Sequence, residues 1–381
     1  MRKKTLFLLV TLVIFPLLSQ SVQQVDNEHV IVGEYRDSEL ITLVFAGDIM
    51  SHFPQVKAAY IQQGDSFDYR PCFQYLKPYI ATADLAVVNL EVPLAGKPYS
   101  GYPQFSAPEQ LADGATDAGF DVLLTANNHT VDRGGKGIER TIQQLDKRSL
   151  HTGAFRSQAE RDSLYPLITE VKGMKIAVLN CTYDTNGIPV PKPFVVNMID
   201  TAQIRRDVAK ARERAAEFVI MCIHWGIEYQ TEANATQQEL AGFLARAGVD
   251  LIIGSHPHVV QNFSVVYRPD STQVPVFYSL GNMISNQSKR GTNGGILAKV
   301  VIDKNTCNIQ YCNYLPFFVY KGNLQERYQY YLIPTVDYIA RPQDFGIGNT
   351  ADLLLRQFQD DTQARLSNLP MTLDKFTRTD D

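Results

Sequence analysis

The chain has 381 residues, 45% of them apolar and 20% charged, with a formal net charge of −4 and a pI near 6.0. This is the make-up of a globular protein with a sizeable core, long enough for one large domain or two modest ones. No run of Lys or Arg is long enough to form a nucleic-acid face, so nucleic acid is excluded as a partner, and low complexity and solenoid repeats are absent.

Arg2, Lys3 and Lys4 precede an apolar stretch over residues 6–18, and Ser19-Gln20-Ser21 offers small residues for cleavage. That reads as a secretory signal over residues 1–21, since the stretch is shorter than the roughly 20 residues a bilayer span needs. Export to the periplasm, cell surface or medium follows; an uncleaved segment would leave the protein membrane-associated. Export permits disulfides, yet five cysteines in so long a chain make no framework. Cys307 and Cys312, five apart, are expected on opposite faces of one strand, and Cys181 and Cys222 read as small buried hydrophobes.

From residue 41 onward, short apolar runs alternate with helix-like segments. Residues 41–46 close on Gly47-Asp48, 85–88 on Asn89-Leu90-Glu91, and 122–125 run towards Asn127-Asn128-His129. Residues 175–179 end near Asn180, 218–223 on His224-Trp225-Gly226, 251–253 on Gly254-Ser255-His256-Pro257-His258, and 276–278 on Ser279-Leu280-Gly281-Asn282. Runs this short and rich in Val, Ile and Leu suit strands buried on both faces. Helical periodicity fills residues 137–148, 201–217 and 236–248, the last closing on a glycine. The alternation predicts an α/β fold. From residue 296 the pattern becomes β-rich: a hairpin of 297–302 and 307–314 about Lys304-Asn305, then a second strand pair reaching Tyr338. One domain is expected over residues 41–342, followed by a tail over 343–381 with one helix at 351–366 and a polar end.

The motifs that close the strands carry the chemistry. Ligands of open α/β sheets bind at the C-terminal ends of strands, where loops converge. Asp48, His52, Glu91, Asn128, His129, His224, His256 and His258 can therefore meet in space, and they include five of the chain's seven histidines. Singly, each has a plainer reading. Asp48 could cap a helix, Asn127-Asn128 could turn the chain, and His224 could be a hydrogen-bonded core side chain. His256-Pro257-His258 is harder to set aside: proline favours an extended residue before it, and positions two apart on an extended segment face the same way.

Imidazole suits Zn, Mn, Fe or Ni, and a mixed set around a central carboxylate fits two divalent ions. On that scheme Glu91 bridges. Asp48, His52 and His258 hold one ion, and Asn128, His224 and His256 hold the other. The ions would activate a water and polarise the electrophile. His129 is left to protonate a leaving group, and Asp132 either orients His129 or starts the next helix, the role its position favours. Arg133, Trp225, Glu228 and Asn282 are candidate substrate contacts, although Trp225, the single tryptophan, is equally suited to the core.

These motifs, in this order, resemble the CapA-type proteins of bacterial capsule and poly-γ-glutamate synthesis, over about residues 41–342. That family is similar to calcineurin-like metallophosphoesterases, which implies a four-layer α/β/β/α sandwich. Two departures stand out. Metallophosphoesterases begin with Asp-x-His, whereas three residues separate Asp48 from His52, and their bridging Asp is replaced by Glu91. The resemblance implies a place in envelope-polymer production. Two functions are compatible with it: a metal-dependent hydrolase of a phosphoester or amide-linked polymer, or a non-catalytic component that escorts a polymer beside membrane-bound synthase subunits.

Overall fold

In the computed structural model the residues described are 39–324 and 327–369; the expected signal, residues 1–21, and the polar end from 370 lie outside them. The apolar runs form strands that assemble into two large mixed sheets. Those of the first sheet are β1 (Leu40–Ile49), β2 (Leu85–Leu90), β3 (Val122–Leu124) and β4 (Leu150–Thr152). Those of the second are β5 (Leu167–Val171), β6 (Met174–Thr182), β7 (Phe218–His224), β8 (Leu251–Ser255), β9 (Phe263–Tyr267) and β10 (Gln273–Phe277). The chain then returns to the first sheet with β11 (Asn282–Ile284), β12 (Gly294–Asp303), β13 (Ile309–Leu324) and β14 (Arg327–Pro334).

The first sheet runs β14-β13-β12-β1-β2-β3-β4, with β11 paired to β1; the second runs β9-β10-β8-β7-β6-β5. Strands β1 to β4 are mutually parallel, as are β6, β7, β8 and β10, while β5, β9, β12, β13 and β14 pair antiparallel.

Alternation along each strand explains why the runs are apolar throughout. Phe45, Val87 and Ile220 face a core shared by the two sheets; their neighbours Val44 and Val88 enter a second core, and Met221 a third. The second core is covered by residues 70–73 and by helix α1 (Gln110–Asp117), through Tyr69, Phe73, Leu111 and Ala115. The third is covered by α2 (Thr201–Glu213) and α3 (Ala235–Ala247), through Ile204, Val208, Leu244 and Ala245. Helix, sheet, sheet and helix are therefore stacked as four layers. Each fully buried aliphatic side chain here is worth about 1.5–3 kcal/mol, which is what holds the layers together.

The helices form where their periodicity places them. Asp200 caps α2 by accepting from Ala202 N and Gln203 N, and α3 opens on an Asn234–Gln237 capping box and closes on Gly248 at φ +102°. The pattern over 137–148 extends back to a helix at Gly134–Leu145.

Two expectations for the C-terminal part need correction. Instead of two successive strand pairs, a single long β13 pairs with β12 on one side and β14 on the other, making a three-stranded meander. Cys307 lies before β13 in the turn, at φ +57°, so it does not share a strand with Cys312. Beyond a short helix at Thr335–Ala340, the helix of the tail runs Asn349–Arg365 and places Leu355 and Phe358 in the core between the sheets.

Candidate metal centre

Sheet register brings the polar ends together. In β1, Asp48 pairs with Asn89 of β2 and with Asn282 of β11; in the other sheet His224, last residue of β7, pairs with Ser255 of β8. The chains approach closely enough that side chains are forbidden at two points. A Cβ on Gly47 would fall 1.8 Å from the Gly281 carbonyl oxygen, and one on Gly254 would fall 2.0 Å from that of Tyr278.

Glu91 stands just past β2 at the centre, fully buried, and neither of its carboxylate oxygens has a hydrogen-bond partner. Its Oε1 is 3.5 Å from His224 Nε2 and 3.8 Å from His258 Nε2. Burial first, and then the neighbouring Asp48 carboxylate, push its pKa well above the ordinary carboxyl value. An unpaired buried carboxylate is costly, and a cation is what would relieve it. Two groups of donors share it. Asp48, Glu91 and His258 offer ligand atoms within 4.8 Å of one another, and so do Glu91, His224 and His256. Asn128 joins the latter, with Oδ1 3.0 Å from His224 Nε2. The donor set thus fits divalent metal.

Further contacts aim these side chains. Asn282 donates from Nδ2 to the Thr292 carbonyl, which turns its Oδ1 towards His258 Nδ1 at 3.1 Å and leaves Nε2 of that ring facing Glu91. Ser255 Oγ lies 2.9 Å from His224 Nδ1, so here too Nε2 faces inward. Asp48 is held by Asn89 Nδ2 at 2.7 Å and accepts from His256 N at 3.2 Å. Desolvation keeps two of the imidazoles neutral, holding His256 down at about 3 and His224 well below the usual value.

The two histidines around Pro257 reach the site by a different route from the extended one expected. His256 has φ +100° and His258 φ +59°, both left-handed. Non-glycine residues in that region are strained, and the strain is held by the bonds to Asp48 and Asn282 and by Tyr229 N donating to the Pro257 carbonyl at 2.8 Å.

His129 is buried beside the cluster. Its Nδ1 is 2.9 Å from Asp132 Oδ2, and its backbone N–H donates to Asn127 Oδ1. Asp132 also accepts from Phe105 N at 2.7 Å, and it does not cap the helix at 134–145. The helix-start role is therefore wrong, and Asp132 orients His129 instead.

Four other expectations change. His52 is in neither donor group. It caps the helix Phe53–Ala59, its Nδ1 lies 3.2 Å from Gln55 Oε1 and accepts from Asn286 N, and its ring meets the edge of Phe105. Arg133 is spent on the Phe105 and Gln104 carbonyls and on Ser100 Oγ, so it holds the 100–105 loop. Trp225 is 2% exposed, stacks on Tyr278 and donates to its carbonyl, and so is part of the core. Asn282 is fully buried and serves His258. Only Glu228, of the four proposed substrate contacts, is exposed beside the cluster, grouped with His256 and His258.

Sequence reasoning missed Tyr183, whose ring lies 4.6 Å from that of His256 and stacks near His224, and whose pKa burial pushes up to about 12. It also missed Asn89, Ser255 and Asn186. Tyr183 follows the end of β6 as the other site residues follow theirs, and that position was the available signal.

Comparison with known proteins bears on family and fold. Residues 42–287 match the model of a family described as bacterial capsule synthesis protein PGA_cap. The capsule biosynthesis protein CapA of Bacillus anthracis is 29% identical over 287 residues, which cover 72% of this chain and 66% of that protein. The PGA biosynthesis protein CapA of Bacillus subtilis (strain 168) is 28% identical over 295 residues, 72% of this chain and 70% of that one. This chain thus spans about two thirds of the length of these relatives. Among solved structures, the NAD nucleotidase NadN of Haemophilus influenzae superposes at a TM-score of 0.50 and 11% identity, covering 85% of this chain and 68% of that one, a likeness of fold alone. The four layers are those of the metallophosphoesterase type.

Proposed function

The chain belongs to the bacterial capsule synthesis protein family that its residues 42–287 match, and from that premise we propose that it is an exported, metal-dependent hydrolase of envelope-polymer production. Its substrate is a phosphoester or an amide-linked polymer of poly-γ-glutamate type. Two divalent ions of the Mn, Fe or Zn kind are the cofactors, and membrane-bound synthase subunits are the natural partners. The supporting observation is Glu91, a fully buried carboxylate with no hydrogen-bond partner, shared between two groups of donors.

Asp48, Glu91 and His258 would hold one ion, and Glu91, Asn128, His224 and His256 the other. Two such ions supply Lewis acidity that brings a water's ionisation near neutrality and offsets charge on the electrophile. The chain's own part is positioning and proton handling. Asp132 fixes His129 through Nδ1, so Nε2 is the atom from which a proton reaches the leaving group. Asn282 and Ser255 keep the inward Nε2 atoms of His258 and His224 in place. The charged and then apolar sequence of residues 1–21 supports export, and among the described residues no helix is long and apolar enough to cross a membrane.

The test is cleavage of a chromogenic phosphodiester and of a γ-glutamyl oligomer by the metal-loaded full chain. His129→Ala should lower turnover by about 10²–10⁴-fold with metal content unchanged. Undiminished cleavage by that variant would remove His129 from the mechanism. A fully metal-loaded protein that cleaves neither substrate, yet co-purifies with synthase subunits, would establish the escort role instead.

A further inference from the structure

The two halves of the donor set are unequal. Glu91, Asn128, His224 and His256 make four donors on one side, while Asp48, Glu91 and His258 make three on the other. Divalent ions with imidazole ligands ordinarily take at least four donors, and a three-ligand side leaves an open position. The fourth donor on the poorer side would be the histidine of an Asp-x-His motif. Here that position is Met50, which is 2% exposed and packed in the core on the outer face of the first sheet. His52 does not replace it, because the helix that begins at Phe53 carries its ring to Gln55 and Asn286.

A further donor comes from the other sheet. Glu228 forms a third group with His256 and His258, with ligand atoms again within 4.8 Å of one another. It shares one histidine with each of the two buried groups and approaches from solvent, whereas Glu91 is buried. Its loop is built to hold it there. Gly226 turns the chain at φ +91°, against the Gln237 side chain, and Tyr229 is left-handed at φ +69°. Tyr229 N donates to the Pro257 carbonyl, tying the loop to the turn between the two histidines, and Lys289 Nζ covers the Tyr229 ring at 3.5 Å. A second and independent observation points to a ligand: His256 Nδ1 is buried with no hydrogen-bond partner.

We infer that Glu228 is a metal ligand, an oxygen donor that joins His256 and His258 on the solvent side of the centre. This rests on the proposed metal-dependent reading of the site.

The test is titration of the chelator-stripped full chain with Co²⁺, followed by calorimetry and by the visible spectrum, whose intensity reports coordination number. The wild-type chain should take up two equivalents. Glu228→Gln should weaken one of the two by about tenfold to a hundredfold and change the spectrum of that equivalent, leaving the other as it was. Glu228→Asp should recover part of the affinity. Glu228 is exposed, so the metal-free melting temperature should match wild type in both variants and separates ligand loss from misfolding. Two equivalents with unaltered affinity and spectrum in Glu228→Gln would overturn the assignment while leaving the hydrolase reading intact. A wild-type chain that binds no Co²⁺ would overturn that reading itself.

Discussion

The two sheets contribute different chemistry to the centre and position it by different means. On the first sheet, Asp48, Asn89 and Glu91 are oxygen-bearing residues at or just past the ends of adjacent parallel strands, beside a register shift between Ala46 and Asp48. On the second, His224 ends a strand, but His256 and His258 sit on left-handed residues of a turn. That turn is held in part by the first sheet, through Asp48 accepting from His256 N and Asn282 accepting from His258. The oxygen half is thus set by regular structure, while the nitrogen half depends on the sheets being docked. Neither half forms a site without the other.

The largest effect should come from the residue both halves share. Glu91→Gln is expected to weaken metal uptake by more than the roughly 10–100-fold that loss of an outer partner costs. The same change should raise the metal-free melting temperature, because an unpaired buried carboxylate is removed. Calorimetry and thermal melts on one preparation check both signs. Unchanged uptake with a lower melting temperature would mean that Glu91 serves packing.

The dependence of the nitrogen half on the first sheet can be measured by comparing two outer partners. Asn282→Ala, which leaves Asp48 Oδ2, 3.3 Å from His258 Nδ1, as the remaining partner of that atom on a strained turn, should cost about 10–100-fold in metal affinity. Ser255→Ala should cost less, because His224 is also held by its own strand and lies 3.4 Å from Asn89 Nδ2. Equal losses would erase the distinction between register and turn.

Acid separates the halves by sign. Burial holds His52 near 4 and His256 near 3 and pushes His224 well below 6.5. Below about 6.5 the unfolded chain takes up protons that the folded chain refuses, so metal-free stability falls with pH, by about 1.4 kcal/mol per pH unit for each histidine at most. Glu91, raised above 4.5, acts oppositely: the folded chain keeps a proton the unfolded one has lost, so its contribution declines as pH rises. Three histidines oppose one carboxyl, and the metal-free melting temperature should drop between about pH 7 and about pH 5. A rise on acidification would give the oxygen half control.

The smallest effect on the centre should come from Trp225→Phe. It removes the bond to the Tyr278 carbonyl, costing about 1–3 kcal/mol of stability with metal uptake unchanged. Lost uptake would return Trp225 to the site.

Much of this was legible in the chain itself. Val, Ile and Leu in runs of a few residues, with helical periodicity between them, define strands buried on both faces, and that pattern is local. The convergence of Asp48, Glu91, Asn128, His224, His256 and His258 was legible too, because each lies at or soon after the end of a strand and parallel strands deliver such residues to one edge. Side-chain duty was not. Whether Trp225 faces the core, whether Asp132 turns to His129 or to its helix, and whether Asn282 meets substrate or His258 depend on partners distant in sequence, which no local period encodes. The exclusion of His52 and the left-handed turn at His256 and His258 were likewise decided by tertiary contact. A strained conformation persists only where surrounding bonds over-determine it, and those bonds form only when the two sheets close on each other.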